Sequence, residues 1–333
     1  MTLLEIRNLK MYYQLGNSLV RAVDDVSFTL DSGETLGLIG ESGCGKSSLA
    51  FTIVRVLPPN SKIFGGQILY EGKDLLKMSD DELRQLRGAE ISNICQNSMS
   101  ALNPVLKVGN MAMETISAHE NIPRDKAKLR VENLFVDVGL EKSRMNNYPH
   151  EFSGGMKQRA IIATSLICYP KIIIADEPTT AFDVIVQEQI LQKIKELQNK
   201  FGLAMLLISH DISIVAETCE RMAVMYAGRL VEVGRTVDLF TKPHHPYTLA
   251  LLRSFPSIIG EIKKLSSIPG KPPNLINPSK GCRFSPRCWI HNKLCDELKY
   301  EMIKVEEEHY TSCPFALNND LIELFDENME KKN

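Results

Sequence analysis

Gly40-Glu41-Ser42-Gly43-Cys44-Gly45-Lys46-Ser47 is a complete G-x4-G-K-S loop, and its reading decides the fold. The apolar run Thr35–Ile39 before it predicts a strand, and the residues after it predict a helix opening at about Ser47. Glycines at these spacings let the backbone curl until successive N–H groups point inward, and the helix N-terminus adds partial positive charge. That geometry suits phosphate. Lys46 is placed to reach the β- and γ-phosphates of a nucleotide, and the Ser47 hydroxyl to ligate Mg2+. The expected nucleotide-binding set is Gly40, Ser42, Gly43, Cys44, Gly45, Lys46, Ser47 and Ser48.

Two further apolar runs end in polar tips: Lys171–Ala175 before DEPTT, and Leu203–Ile208 before SHD. Continuous apolar runs of this length read as strands buried on both faces, hence a parallel α/β sheet with ligands at the carboxyl ends of its strands. The tip Asp176-Glu177 delivers two carboxylates side by side, one suited to the Mg2+ shell and the next to an attacking water. Before the loop, Leu4–Met11 and Ala22–Leu30 alternate in polarity and predict an antiparallel β layer. From about Asn97 to Ser153 the text is helical, with Lys126–Val138 amphipathic and Gly139 as its stop. After Thr241 a run of prolines marks a loop-rich appendix.

The composition fits an ordinary globular protein. Of 333 residues, 39 Lys and Arg stand against 41 Asp and Glu, a formal net charge of −2, with 44% hydrophobic residues. This excludes a disordered chain and a protein held to nucleic acid by bulk charge. The apolar runs fall well short of the ~18 residues a membrane span needs. The opening MTLLEIRNLK carries Glu5 and Arg7 where a signal peptide would need apolar residues, so a cytosolic chain is expected.

At Pro149–Arg159 the text reads PHEFSGGMKQR, and Ser153-Gly154-Gly155-Met156 followed by helix formers resembles the signature of ABC-type ATPases. Other family motifs follow in order. Tyr13 matches the adenine-stacking aromatic, Gln96 the Q-loop, Ala181-Phe182-Asp183 the D-loop and His210 the switch histidine. The resemblance spans about residues 3–240; Met156 stands where the family has Gln, and Phe182 where it has Leu. It implies an α/β fold with a RecA-like parallel-sheet core, the antiparallel layer and a helical subdomain. The implied division is 1–96 with 159–240 as nucleotide core, 97–158 as helical subdomain and 241–333 as extension. It also implies Glu177, His210, Gln96 and Asp183 as catalytic groups, and Ser47, Gln96 and Asp176 around Mg2+. Ser153, Gly154, Gly155 and Met156 would act on the ATP of an opposing subunit in a head-to-tail dimer.

NSMSALNP after Gln96, the extended signature YPHEFSGGM, His245-Pro246-Tyr247-Thr248 and GCRFSPRC narrow the resemblance to ATPases of dipeptide and oligopeptide importers. Close relatives of these serve nickel uptake. Implied partners are two permease subunits, a second homologous ATPase subunit and, indirectly, an extracytoplasmic substrate-binding protein. The implied place is the cytoplasmic face of the membrane. A soluble ABC ATPase acting on DNA or ribosomes is the competing class, and it usually carries a coiled coil, tandem cassettes or a basic face. This chain has none of them.

Cys44, Cys95, Cys168 and Cys219 are scattered, whereas Cys282, Cys288, Cys295 and Cys313 crowd the last part as C-x5-C-x6-C-x17-C. Four thiolates can hold either tetrahedral Zn2+ or a 4Fe-4S cluster. The wide spacings suit the larger group, and the resembled subfamily carries a 4Fe-4S centre on a similar run. Trp289, Phe284 and Phe315 are candidates to shield the site, and His291 reads as a surface residue.

Overall fold

All three apolar runs form strands, Thr35–Ile39, Ile172–Asp176 and Ala204–Ile208, each buried at every position. The computed structural model describes residues 1–96, 98–179, 184–254, 268–297, 299–315, 321–322 and 324–325. They divide into two compact units.

The first unit comprises Met1–Leu4, Leu30–Thr35 and Tyr70–Ile208. Its centre is the strand Ile172–Asp176, which lies parallel to both Ala204–Ile208 and Ile91–Ile94. Strands on both sides pair its backbone, so Ile172–Ala175 can be apolar and buried, with Asp176 at the tip. Around these strands stand the helices Val108–His119, Arg124–Asp137, Gly154–Leu166 and Val184–Phe201. Gly139 ends the second of these as expected. Its φ is +77°, its N–H reaches the Val136 carbonyl at 2.9 Å, and the Leu140 N–H reaches Phe135 at 2.7 Å. That pair of reversed bonds satisfies carbonyls the helix leaves open, and a residue without Cβ adopts the required backbone freely.

The second unit comprises Glu5–Thr29, Leu36–Leu69 and Ser209–Asn333. Here most of the strand Thr2–Leu15, then Ser18–Asp31, form the expected β layer, joined by a two-residue turn at Gly16-Asn17. Such a turn can join only antiparallel strands. The strand Thr35–Ile39 pairs in parallel with Arg221–Tyr226, which reverses at Ala227-Gly228 into Arg229–Arg235.

The appendix is more ordered than its prolines suggest. Its strand His309–Thr311 pairs antiparallel with Arg229–Arg235, and Ile303–Glu306 pairs with it in turn. Strands of three and four residues show no readable alternation, which is why sequence pattern missed them. The buried carboxylate of Glu232 gathers this region. It accepts from the backbone N–H groups of His244 at 2.6 Å and His245 at 2.9 Å, and its Oε1 lies 2.8 Å from His309 Nε2. Leu249, Ala250, Leu321 and Phe325 form a small apolar core there, with Trp289 packed on the Phe325 ring at 4.8 Å.

Candidate nucleotide site

The loop Gly40–Ser47 sits between the strand Thr35–Ile39 and the helix Lys46–Ile53, as the sequence predicts. Gly45 caps that helix with φ at +114°; a Cβ there would stand 2.1 Å from the Ala22 carbonyl oxygen. Only glycine fits. Lys46 is 6% exposed, and its ammonium donates to the Gly40 carbonyl at 2.7 Å and the Glu41 carbonyl at 3.2 Å. Its charge therefore lies inside the loop. Ser42 and Gly43 are exposed at the tip, Cys44 is buried, and Ser47 and Ser48 are half-buried. Burial pushes the Cys44 thiol pKa up despite the neighbouring Lys46, so the sulfur serves as a small apolar group. Tyr13 belongs to the same unit and donates its hydroxyl to Ser48 Oγ at 3.0 Å.

In the first unit, the buried strand Ile172–Asp176 ends with Asp176 only 2% exposed. Glu177 follows in the left-handed backbone region, φ +49°, with its N–H bonded to the Ile208 carbonyl at 2.9 Å. A side chain in that region costs about 1–2 kcal/mol. The strand register and the Ile208 bond hold it there. The exposed Gln96 amide donates to Glu177 Oε2 at 2.8 Å, across 81 residues of sequence. These two residues, singled out separately in the sequence, form one contact.

Ser153 is the N-cap of the helix Gly154–Leu166, its Oγ accepting from the Met156 N–H at 3.3 Å. Ser153 and Gly154 are exposed, Gly155 and Met156 partly so. His210 is exposed, just before the Asp211 cap of the helix Ile212–Thr218. Asp183 lies outside the described residues, as do Ala181, Phe182 and Asn97.

Ser47 hydroxyl, Asp176 carboxylate and Gln96 amide are all hard oxygen donors, the chemistry Mg2+ prefers. In the first unit Asp176 and Gln96 supply two such donors.

Three of the four clustered cysteines share one small cavity. Cys282, Cys295 and Cys313 line one cavity of about 40 Å3 with Phe284 and Phe315, and the Cys288 thiol feels all three other sulfurs. Among the described residues, no three His, Cys, Asp or Glu side chains are placed to hold a metal ion. The expected metal centre is thus not shown. Burial in apolar surroundings raises the Cys282 thiol pKa, and that of Cys288 to about 12. Trp289 packs in the small core rather than on the cavity, and His291 is exposed beside Asp296.

Sequence reading missed the residues that tie the appendix to the loop. The Glu41 carboxylate receives both terminal nitrogens of Arg287, and the Glu41 N–H donates to Tyr247 Oη at 2.8 Å. Arg283 pairs with Asp24, which also accepts from Tyr12 Oη at 2.5 Å. The two arginines stood in plain view inside GCRFSPRC, but their partners are 246 and 259 residues away in sequence.

The sequence matches the ABC transporter family over residues 23–180, and the oligopeptide/dipeptide transporter C-terminal region over residues 231–295. It is 44% identical to the dipeptide transport ATP-binding protein DppD of Bacillus subtilis, covering 93% of each chain. It is 43% identical to the oligopeptide transport ATP-binding protein OppD of Escherichia coli, covering 88% of this chain and 87% of that one. Among solved structures it resembles the dimeric structure of a bacterial ABC transporter cassette. There the TM-score is 0.63 with 27% identity, over 70% of this chain and 98% of that one. A post-hydrolysis dimer of the same cassette, bound to ADP and Pi, matches with the same TM-score at 26% identity.

Proposed function

Because the chain belongs to the ATP-binding proteins of the oligopeptide and dipeptide ABC transporters, we propose how its residues divide the work of ATP hydrolysis coupled to peptide import. Gly40, Ser42, Gly43, Cys44, Gly45, Lys46, Ser47 and Ser48 bind the phosphates, and Tyr13 stacks on the adenine. Ser47, Asp176 and Gln96 would hold Mg2+, which when bound screens the phosphate charge. Glu177 accepts a proton from the attacking water, and His210 contacts the γ-phosphate. Asp183 completes the catalytic set. Ser153, Gly154, Gly155 and Met156 act on the ATP of a second, homologous ATPase subunit.

The contact that carries the hydrolytic reading is Gln96 Nε2 on Glu177 Oε2 at 2.8 Å. It joins the proposed general base to the loop that would face a permease, so a movement of that loop reaches the base through one hydrogen bond. Glu177→Gln is the test. It should keep nucleotide binding yet lose phosphate release by at least about 100-fold, because a neutral amide cannot take the proton. Near-normal turnover would sink the assignment.

The partners that fit this reading are two permease subunits and, through them, an extracytoplasmic peptide-binding protein. Among the described residues no helix is long and apolar enough to cross a membrane. On the permease-bound reading the chain attaches peripherally at the cytoplasmic face. The nucleotide core is assigned to 1–96 and 159–240, the helical subdomain to 97–158 and the extension to 241–333. Nickel uptake is the alternative cargo within the family. For the extension we propose a structural 4Fe-4S cluster on Cys282, Cys288, Cys295 and Cys313, with Zn2+ as the alternative; that Cys282, Cys295 and Cys313 line one cavity supports it.

A further inference from the structure

We infer that Arg287 is a positioning residue for the nucleotide loop: it holds Glu41 so that the loop's own carboxylate stays fixed and neutralised beside a bound phosphate chain. This rests on the reading of Gly40–Ser48 as the phosphate loop. Glu41 occupies a variable position of that loop. Its carboxylate meets Arg287 Nη1 at 2.7 Å and Nη2 at 3.0 Å, a two-pronged pair. Arg287 is itself held, donating through Nε to the Pro269 carbonyl at 2.7 Å and through Nη1 to Tyr226 Oη at 3.2 Å. Tyr247 takes the Glu41 N–H and Lys46 bonds its carbonyl, so one loop residue is gripped at three points.

A carboxylate in a loop that wraps an anion works against its purpose, because like charges repel. A forked guanidinium answers both difficulties, since two parallel charge-assisted bonds fix orientation as well as balance charge. The pair is sheltered, with side-chain exposures of 5% for Arg287 and 23% for Glu41, so salt screens it poorly. Burial disfavours the Arg287 charge, but its bonds to Glu41 and Tyr226 outweigh that and hold the guanidinium pKa above its ordinary value. Arg283 supplies the contrast. It anchors the same turn to Asp24 in the strand Ser18–Asp31 and does not touch Glu41. Both arginines fasten the appendix, but only Arg287 engages the loop carboxylate.

The test titrates the full chain with Mg2+ and the non-hydrolysable β,γ-imido analogue of ATP. Arg287→Gln should weaken binding on the order of tenfold. Adding Glu41→Gln to that variant should restore most of the lost affinity, which a merely structural loss would not allow. Arg283→Gln should weaken binding far less. Wild-type affinity in Arg287→Gln, no rescue by Glu41→Gln, or an equal loss in Arg283→Gln would each overturn the proposal. Should Arg287→Gln fail to fold, Arg287→Lys carries the test. It keeps the charge and loses the fork, so unchanged affinity there would overturn the proposal too. Lys46→Ala is measured in parallel, and undiminished binding in that variant would remove the phosphate-loop reading itself.

Discussion

Backbone conformation at single residues places the nucleotide chemistry. Gly45 and Glu177 both carry positive φ, and they bear it differently. Gly45 has no Cβ and accepts +114° at no steric cost, whereas the Glu177 side chain is held in place by its neighbours. Gly45→Ala should therefore destabilise the protein by about 2 kcal/mol or more, from the left-handed backbone and the contact with the Ala22 carbonyl. Thermal melts and nucleotide titration of that variant check this, with binding expected to fall alongside the melting temperature. The same local logic explains why Cys44 tolerates its place in the loop. A buried neutral thiol adds no charge where phosphate must approach.

At the scale of an element, the helix Pro246–Arg253 shows how a cap becomes pH-sensitive. His245 is its N-cap, with Nδ1 accepting from the Tyr247 N–H at 3.0 Å. Burial alone pushes the His245 pKa down to about 3, so the folded chain keeps the ring neutral where an unfolded chain would protonate near 6.5. The contribution is fully present above pH 6.5 and is lost as pH falls from there toward 3, because the unfolded state binds the extra proton. His244, also lowered by burial, adds to stability with the same sign. His245→Asn keeps a capping oxygen but cannot titrate. Its stability at neutral pH should drop from lost packing, while its pH slope below 6.5 loses up to one proton. Denaturant unfolding from pH 4 to pH 8 reads both effects, and an unchanged slope would place the sensitivity elsewhere. The helix matters beyond itself, since it presents the Tyr247 hydroxyl to the Glu41 N–H.

For the whole molecule, two matters extend beyond any one element: the extension and the opposing subunit. Within the second unit, Arg283, Arg287 and the Glu232 cluster fasten residues beyond 240 to Asp24, Glu41 and the strand Arg229–Arg235. If the cysteines hold a cluster, protein purified without oxygen should be brown with about four irons per chain. Cys288→Ser should bleach it and expose the extension to protease while nucleotide still binds; colourless protein with one zinc would replace the cluster, and no metal would remove the site. The opposing subunit is tested through Gly155, where an added Cβ would press Val186 Cγ1 at 3.2 Å. Gly155→Asp should spare nucleotide binding by the isolated chain yet block hydrolysis in the assembled transporter, since a carboxylate repels a facing phosphate. A variant chain that loses nucleotide affinity as fully as Lys46→Ala would refute action across subunits.

The linear text by itself determined the three buried strands, the loop between Ile39 and Lys46, the carboxylates at Asp176-Glu177 and the capped signature helix at Ser153. These are local facts: apolar runs, glycine spacing and capping residues act over a few neighbours, so a reader of sequence can see them. Register along the chain also marked Gln96, Tyr13 and His210, which composition would have passed over. Tertiary structure alone decided what meets what. The bond from Gln96 to Glu177, the grip of Arg287 on Glu41 and the buried contact of His309 with Glu232 join residues 81, 246 and 77 positions apart. No propensity encodes such pairs, because each depends on where the intervening chain has travelled. The cysteine quartet marks the same boundary. Spacing predicted that four thiols would gather, but whether they ligate or merely pack is set by sub-ångström placement that the order of residues does not specify.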